Sequence, residues 1–224
     1  MRDAMAHVDF LSKLHKSTKR DYLARVLAGN KAEFATLAKK FDVEYWDAGR
    51  NTGYGGYNYD GRWREPAQTL RDRYQLKPGD KILDVGCGKG YLLYDLTLTV
   101  PGVEVRGIDI SRYALDHAQP DVRPSLQLAN ATAIPFPDKS FDLVVSLNTL
   151  HNLYIHDLYR GLQEIERVSR GNKYIVMDSY RNEQEKVNLL YWQLTCECFF
   201  TPAEWEFIFE QAGYTGDYGF IYFE

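Results

Sequence analysis

A chain of 224 residues, 45 % of them apolar and 26 % charged, has the make-up of a soluble globular protein with room for one α/β domain and an added segment, but not for two full domains. Its net charge of −4 argues against nucleic acid, whose binding rests on many neutralised phosphates, and favours a small-molecule partner. No run approaches the roughly 18 to 20 apolar residues of a spanning helix, and MRDAMAHVDFLSKLHKSTKR lacks the apolar core of a secretory signal, so no membrane contact and a cytoplasmic location are expected.

Residues 8 to 41 carry apolar side chains at helical spacing, from Val8, Leu11 and Leu14 to Leu37, Ala38 and Phe41, and predict two helices broken at Gly29-Asn30. The next segment, FDVEYWDAGRNTGYGGYNYDGRWREP, is too rich in glycine to stay regular. It interleaves Tyr45, Trp46, Tyr54, Tyr57, Tyr59 and Trp63 with Gly53, Gly55, Gly56 and Gly61, and is charged by Asp47, Arg50, Asp60, Arg62 and Arg64. From residue 81 short β-branched runs alternate with amphipathic stretches: KILDVG, YLLYDLTLTV, EVRGIDI, RYALDHAQ, PSLQLAN, FDLVVSL, YRGLQEIERVSR and KYIVMDS. That alternation predicts a mainly parallel sheet with helices on both faces. Residues 183 to 199 read as helix, TPAEWEFIFEQAG as a helix capped by Thr201 with Pro202 at its first position, and DYGFIYFE as a final strand. The chain divides into residues 1–65, N-terminal helices and a Tyr/Gly-rich lid segment, and residues 66–224, packed as one compact unit.

In KILDVGCGKGYLLYDL a strand ends near Asp84, a turn follows with Gly86, Gly88 and Gly90, and a helix begins near Tyr91. Glycines let the backbone turn tightly and approach a ligand, while free N–H groups at a helix start attract negative charge. Asp109 closes the next strand about twenty residues on, where an acid in such a fold reaches a ribose diol. A dinucleotide fingerprint needs its third glycine at position 91, which is Tyr91 here.

The series LDVGCGKG, GIDIS, LANATAIPFPDKSFDLVVSLNTLHNL and KYIVMD resembles the motif series of class I S-adenosylmethionine-dependent methyltransferases over about residues 76 to 180. The resemblance implies a Rossmann-like α/β sheet of seven strands, mostly parallel with the last antiparallel, helices on both faces and extra N-terminal helices. It implies S-adenosyl-L-methionine as methyl donor and S-adenosyl-L-homocysteine as product. Asp84 with the backbone at Gly86, Cys87 and Gly88 would then hold the methionine part, Asp109 the ribose hydroxyls, Ile110 and Ala131 the adenine, and Asn130 the adenine amino group through its amide oxygen. Asn130 stands where the family often has aspartate. Ser146, Leu147 and Asn148, just past the fourth strand, would border the sulfonium and methyl group.

The implied reaction is methyl transfer to oxygen or nitrogen of a small molecule, with a protein or RNA methyltransferase, or a non-catalytic cofactor-binding scaffold, as alternatives. His151 lies where such proteins place substrate-side residues, and its ordinary pKa suits a base. Asp178, ending the fifth strand, shares that edge; both are candidate catalytic residues. Tyr54, Tyr57, Tyr59, Arg62 and Trp63, with His151, are candidate acceptor contacts, since aromatic faces hold cations and arginines clamp carboxylates or phosphates. A packed loop covering the sheet end is the alternative for this segment. Cys87, Cys196 and Cys198 read as reduced thiols. Cys196-x-Cys198 has no second pair, so no metal is expected. The N-terminal helices suit either lid support or a dimer contact.

Overall fold

The computed structural model describes residues 5–54 and 57–224; Gly55 and Gly56 of the aromatic segment lie outside the described residues. Four short helices come first: α1 (Ser12–Lys16), α2 (Tyr22–Leu27), α3 (Lys31–Ala38) and α4 (Val43–Trp46). Asp21, Asn30 and Asp42 each cap the helix that follows with a side-chain oxygen. The expected first helix is therefore two, because Arg20 folds back onto the carbonyls of His15 and Thr18 between them, at 2.9 and 3.0 Å.

After α5 (Arg64–Tyr74) the chain alternates through β1 (Lys81–Val85), α6 (Tyr91–Thr99), β2 (Glu104–Asp109), α7 (Arg112–Asp116), β3 (Leu126–Leu128), β4 (Phe141–Leu147), α8 (Ile155–Val168) and β5 (Ser169–Ser179). It ends with α9 (Glu183–Trp192), α10 (Pro202–Ala212) and β6 (Asp217–Tyr222). The strands form one sheet ordered β3-β2-β1-β4-β5-β6, and every pairing is parallel.

Two expectations are corrected here. The sheet has six strands among the described residues, not seven, and its last strand is parallel. The helix α10 packs on α8 and returns the chain to the starting edge, so β6 begins with Asp217 beside Tyr174 and runs alongside β5 to Ser179 and Tyr222. A helical crossover between neighbouring strands has this result, whereas a reversal would need a hairpin. Residues 183 to 199 also do not stay helical. The helix stops at Trp192, and the following amides are taken up elsewhere: those of Leu194 and Thr195 donate to the Tyr54 hydroxyl at 2.9 and 3.2 Å, those of Glu197 and Cys198 to the His151 carbonyl at 2.9 and 3.0 Å.

Period-two alternation divides the strand side chains between two cores. Ile82, Leu143, Val145, Tyr174 and Val176 join Leu70, Leu93, Leu96, Leu189 and Trp192 on the face of α5, α6 and α9. Leu83, Val85, Val144, Ile175 and Met177 join Leu158, Leu162, Trp205 and Phe209 on the face of α8 and α10. The N-terminal segment packs on the first face, and its start pairs with β6: the Val8 amide donates to the Tyr218 carbonyl at 2.7 Å and the Tyr218 amide to Ala6 at 3.0 Å. No helix of the described residues is long and apolar enough to cross a membrane.

Candidate active site

In an open parallel sheet, ligands gather at the carboxyl ends of the strands where the order reverses, here between β1 and β4. One cavity of about 380 Å³ lies there. The same alternation that puts Ile82 and Val176 on one face puts Asp84 and Asp178 on it too, and both line the cavity with Asp109. Asp84 and Asp178 are buried.

The first end of the cavity is built on the glycine turn. Gly86, Gly88 and Gly90 have φ of 84°, 52° and 75°, a region that costs side-chain-bearing residues energy. A Cβ at Gly86 would stand 2.1 Å from Thr149 Oγ1, so the turn packs against the segment just after β4 with no room for a side chain. Asp109 braces it, accepting from the Gly88 amide and the Ser111 amide, both at 2.8 Å. Burial, and secondarily the charge of Asp109, raise the Asp84 carboxyl to about 8. No side chain among the described residues forms an ion pair with it. A buried carboxyl facing a cavity without a cation is a receptor for one, because an opposite charge restores what desolvation removed. A sulfonium- and ammonium-bearing cofactor fits that donor set, and Ile110, 51 % exposed beside Asn130 and Ala131, offers an apolar face to an adenine.

Residues 41 to 47 lie over this turn as a strap. A Cβ on Gly88 would come within 2.6 Å of the Trp46 ring. Trp46 Nε1 donates to Ser111 Oγ at 2.8 Å, and Ser111 Oγ in turn donates to the Phe41 carbonyl. Asp47 takes Lys89 Nζ on both oxygens at 2.7 and 2.9 Å and the Tyr113 hydroxyl at 2.9 Å. Burial pushes the Asp47 carboxyl up, but these bonds outweigh it and hold it below the usual carboxylate range.

The other end of the cavity is aromatic. Tyr45, Tyr54 and Tyr57 pack on one another, with centroid separations of 5.7 Å for Tyr45–Tyr54 and 5.3 Å for Tyr45–Tyr57, and Tyr54 lies 6.3 Å from Trp192. The Tyr54 hydroxyl donates to Gln193 Oε1 at 2.6 Å, and Gln193 Nε2 donates to Asp178 Oδ2. His151 is buried, and its Nδ1 accepts the Asp178 amide proton at 3.1 Å. The neutral ring therefore carries its proton on Nε2, which faces Asp178 Oδ2 at 3.6 Å. Burial lowers the His151 pKa against the pull of Asp178, and burial raises the Asp178 carboxyl despite His151, Gln193 and Arg20.

The cavity brings together Asp84, Gly86, Cys87, Gly88, Asp109, Ile110, Asn130, Ala131 and Asn148 with Tyr54, Tyr57, Arg62, Trp63, His151 and Asp178. Two candidates fall outside its lining. Ser146 alternates onto the α8 face, is buried, and donates to the Val85 carbonyl at 2.9 Å, tying β4 to β1. Tyr59 turns away to donate to Asp95 at 2.8 Å and packs on Tyr91 and Tyr94. Asn130 lines the cavity, but its amide oxygen already accepts from the Thr132 amide and hydroxyl at 2.9 and 3.0 Å, so its Nδ2 is the group left for a ligand. Trp192, Gln193 and Thr195 also line the cavity; they belong to VNLLYWQLTCECFF, a stretch whose sequence lets it close the acceptor pocket from the other side, although its helical spacing reads first as core. Sequence reasoning missed His15 and Arg20, the one at the end of α1 and the other between α1 and α2, where no local pattern marks them. Cys87, Cys196 and Cys198 are free thiols, and no cluster of three metal-ligating side chains exists among the described residues.

Residues 83–177 match the family model described as a methyltransferase domain. The chain carries a class I S-adenosylmethionine-dependent methyltransferase domain. The domain is 35 % identical over 128 residues to a demethylmenaquinone methyltransferase of Symbiobacterium thermophilum, covering 53 % of this chain and 50 % of that one. It is 33 % identical over 134 residues to the 27-O-demethylrifamycin SV methyltransferase of Amycolatopsis mediterranei, covering 54 % and 48 %. The chain spans about half the length of the curated relatives it matches. Among solved structures, the YcgJ protein of Bacillus subtilis shares the methyltransferase domain's fold, with a TM-score of 0.52 at 19 % identity over 66 % of this chain and 67 % of that one.

Proposed function

We propose that this chain transfers a methyl group from S-adenosyl-L-methionine to an oxygen or nitrogen of a small molecule. The observation that carries the reading is a single covered cavity in which two buried carboxyls, Asp84 and Asp178, stand on one sheet face with the glycine turn at one end and an aromatic wall at the other. The relatives named as a demethylmenaquinone methyltransferase and a 27-O-demethylrifamycin SV methyltransferase support a small acceptor. So does the cover of residues 41 to 54 and 57 to 63.

The bound cofactor supplies an electrophilic methyl on a positively charged sulfur. Asp84, once ionised, offsets that charge. Asp109 fixes the turn through the Gly88 amide and presents its carboxylate to the ribose. Asp178 is the proton acceptor: it is buried, and Gln193 fixes one of its oxygens. His151 orients Asp178 and is not the base itself, since its one free lone pair is already spent on a backbone amide. The tyrosine wall keeps water away from the transfer.

Calorimetry with S-adenosylmethionine and S-adenosylhomocysteine tests the reading. Stoichiometric binding of both, weakened at least tenfold by Asp109→Ala, is the expected result; no binding of either at millimolar concentration refutes it. Binding without methyl transfer to any component of a cell extract would favour the scaffold alternative.

A further inference from the structure

Beside the acceptor end of the cavity stand guanidinium groups that no carboxylate among the described residues pairs with, and one of them, Arg20, lines it. Three guanidinium groups surround the indole of Trp192: Arg20, Arg25 and Arg50 have their Cζ atoms 5.3, 4.6 and 5.6 Å from its ring centre. Among the described residues none of the three forms an ion pair. Arg25 is bound up with the backbone, donating to the carbonyls of Trp192, Arg50 and Gly53. Arg20 is different. It lines the cavity, its Nη1 spends both protons on the carbonyls of His15 and Thr18, and its Nη2 makes one bond, to His15 Nδ1 at 3.1 Å. Its Nε is buried without a partner.

Two donors therefore remain on Arg20, Nε and one Nη2 proton. A guanidinium presents such a pair as a planar fork that matches the two oxygens of a carboxylate. The fork is fixed: Arg20 lies over the Trp192 ring and 5.8 Å from the Phe223 centroid, and His15 beside it is held neutral, with burial and Arg20 itself bringing its pKa to about 3. The nearest acid in the cavity, Asp178, feels Arg20 but is bonded to Gln193 and faces His151.

We propose that the methyl acceptor carries a carboxylate, which docks on the free fork of Arg20 against Trp192 and leaves the acceptor's O–H or N–H group at Asp178. The apolar rings on either side suit an aromatic or otherwise flat body between the two ends. This rests on the methyltransferase reading for the role of the second end, not for the anion site.

The test is calorimetry on the full chain preloaded with S-adenosylhomocysteine, with benzoate, its neutral isostere benzamide, and phenyl phosphate as probes. Benzoate is expected to bind about tenfold or more tightly than benzamide. Arg20→Gln should remove that preference while S-adenosylhomocysteine binding, at the far end, reports an intact fold. Arg50→Gln, a change of an exposed side chain that leaves the fold undisturbed, should reduce benzoate affinity about two- to fourfold by weakening the local field. The inference is overturned if benzamide binds as well as benzoate, if benzoate does not bind, if the preference survives both substitutions, or if phenyl phosphate binds tenfold more tightly than benzoate. Binding of S-adenosylhomocysteine without a benzoate preference sinks this inference alone. A benzoate preference in a chain that never binds S-adenosylhomocysteine sinks only the methyltransferase reading.

Discussion

Lys89 Nζ lies 2.7 and 2.9 Å from the two carboxylate oxygens of Asp47, joining the glycine turn to the strap that covers it. The lysine side chain is 5 % exposed and the aspartate 30 %. A charged hydrogen bond is worth about 1.5 to 3 kcal/mol, less where water reaches one partner. Lys89→Met should therefore speed release of S-adenosylhomocysteine about fivefold, read by stopped-flow tryptophan emission, with Trp46 on the turn as reporter. An unchanged release rate would show that the strap does not hold the cofactor.

On the proposed role of Asp84, cofactor binding should depend on pH. With its carboxyl at about 8 in the free protein, the group is mostly protonated at pH 7 and must lose that proton to meet a cation. Affinity for S-adenosylmethionine should rise with pH up to about 8 and then level off, with proton release seen by calorimetry at pH 7 in buffers of different ionisation enthalpy. The stability sign follows. A carboxyl raised on folding favours the fold while protonated, and that contribution fades as pH climbs from the unfolded value through about 8. Asp84→Asn should therefore raise the melting temperature of the ligand-free protein more at pH 9 than at pH 5. A gain independent of pH contradicts the assignment.

Gly88 and Trp46 should behave as a coupled pair. Gly88→Ala forces a methyl group to within 2.6 Å of the indole at a φ of 52°, costing about 1 to 3 kcal/mol in backbone strain and displaced packing. Trp46→Ala makes room, so the double variant should lose less stability than the two single changes summed. Strict additivity in urea unfolding would mean that the strap stands away from the turn in solution.

Asp178 and His151 should separate kinetically. On the proposed role of Asp178 as proton acceptor, Asp178→Asn is expected to lower kcat by about 10²- to 10³-fold. His151→Gln, which removes only an orienting group, should lower it less than about tenfold. Equal losses on any acceptor that the extract labelling identifies would return His151 to the role of base.

The parallel sheet and the glycine-turn end of the cavity were readable because each rests on a local rule. Alternation gave the strands, glycines at 86, 88 and 90 the turn, and Asp109 the strand end. The direction of β6 was not, because it depends on where α10 packs, and that is settled by contacts with α8 far away in sequence. Of the run Ser146, Leu147 and Asn148, the last two face the cavity, while strand alternation turns Ser146 to the other core. Tyr59 looked like its neighbours in a tyrosine-rich run, yet the buried carboxyl of Asp95 draws it away. Arg20 and Gln193 carry no signature because their roles come from the rings and amides that meet them in space.

Tyr54 belongs to the cover, but its hydroxyl oxygen holds two amides of the loop after α9 and reaches Gln193, which reaches Asp178. Swinging this tyrosine outward to admit a molecule strands two peptide N–H groups and unfastens the carboxyl that must later receive a proton. If Tyr54 is the gate and Asp178 the base, as the proposed reaction has them, access and readiness are mutually exclusive states of one side chain, and the doorway cannot stand open while the base is set.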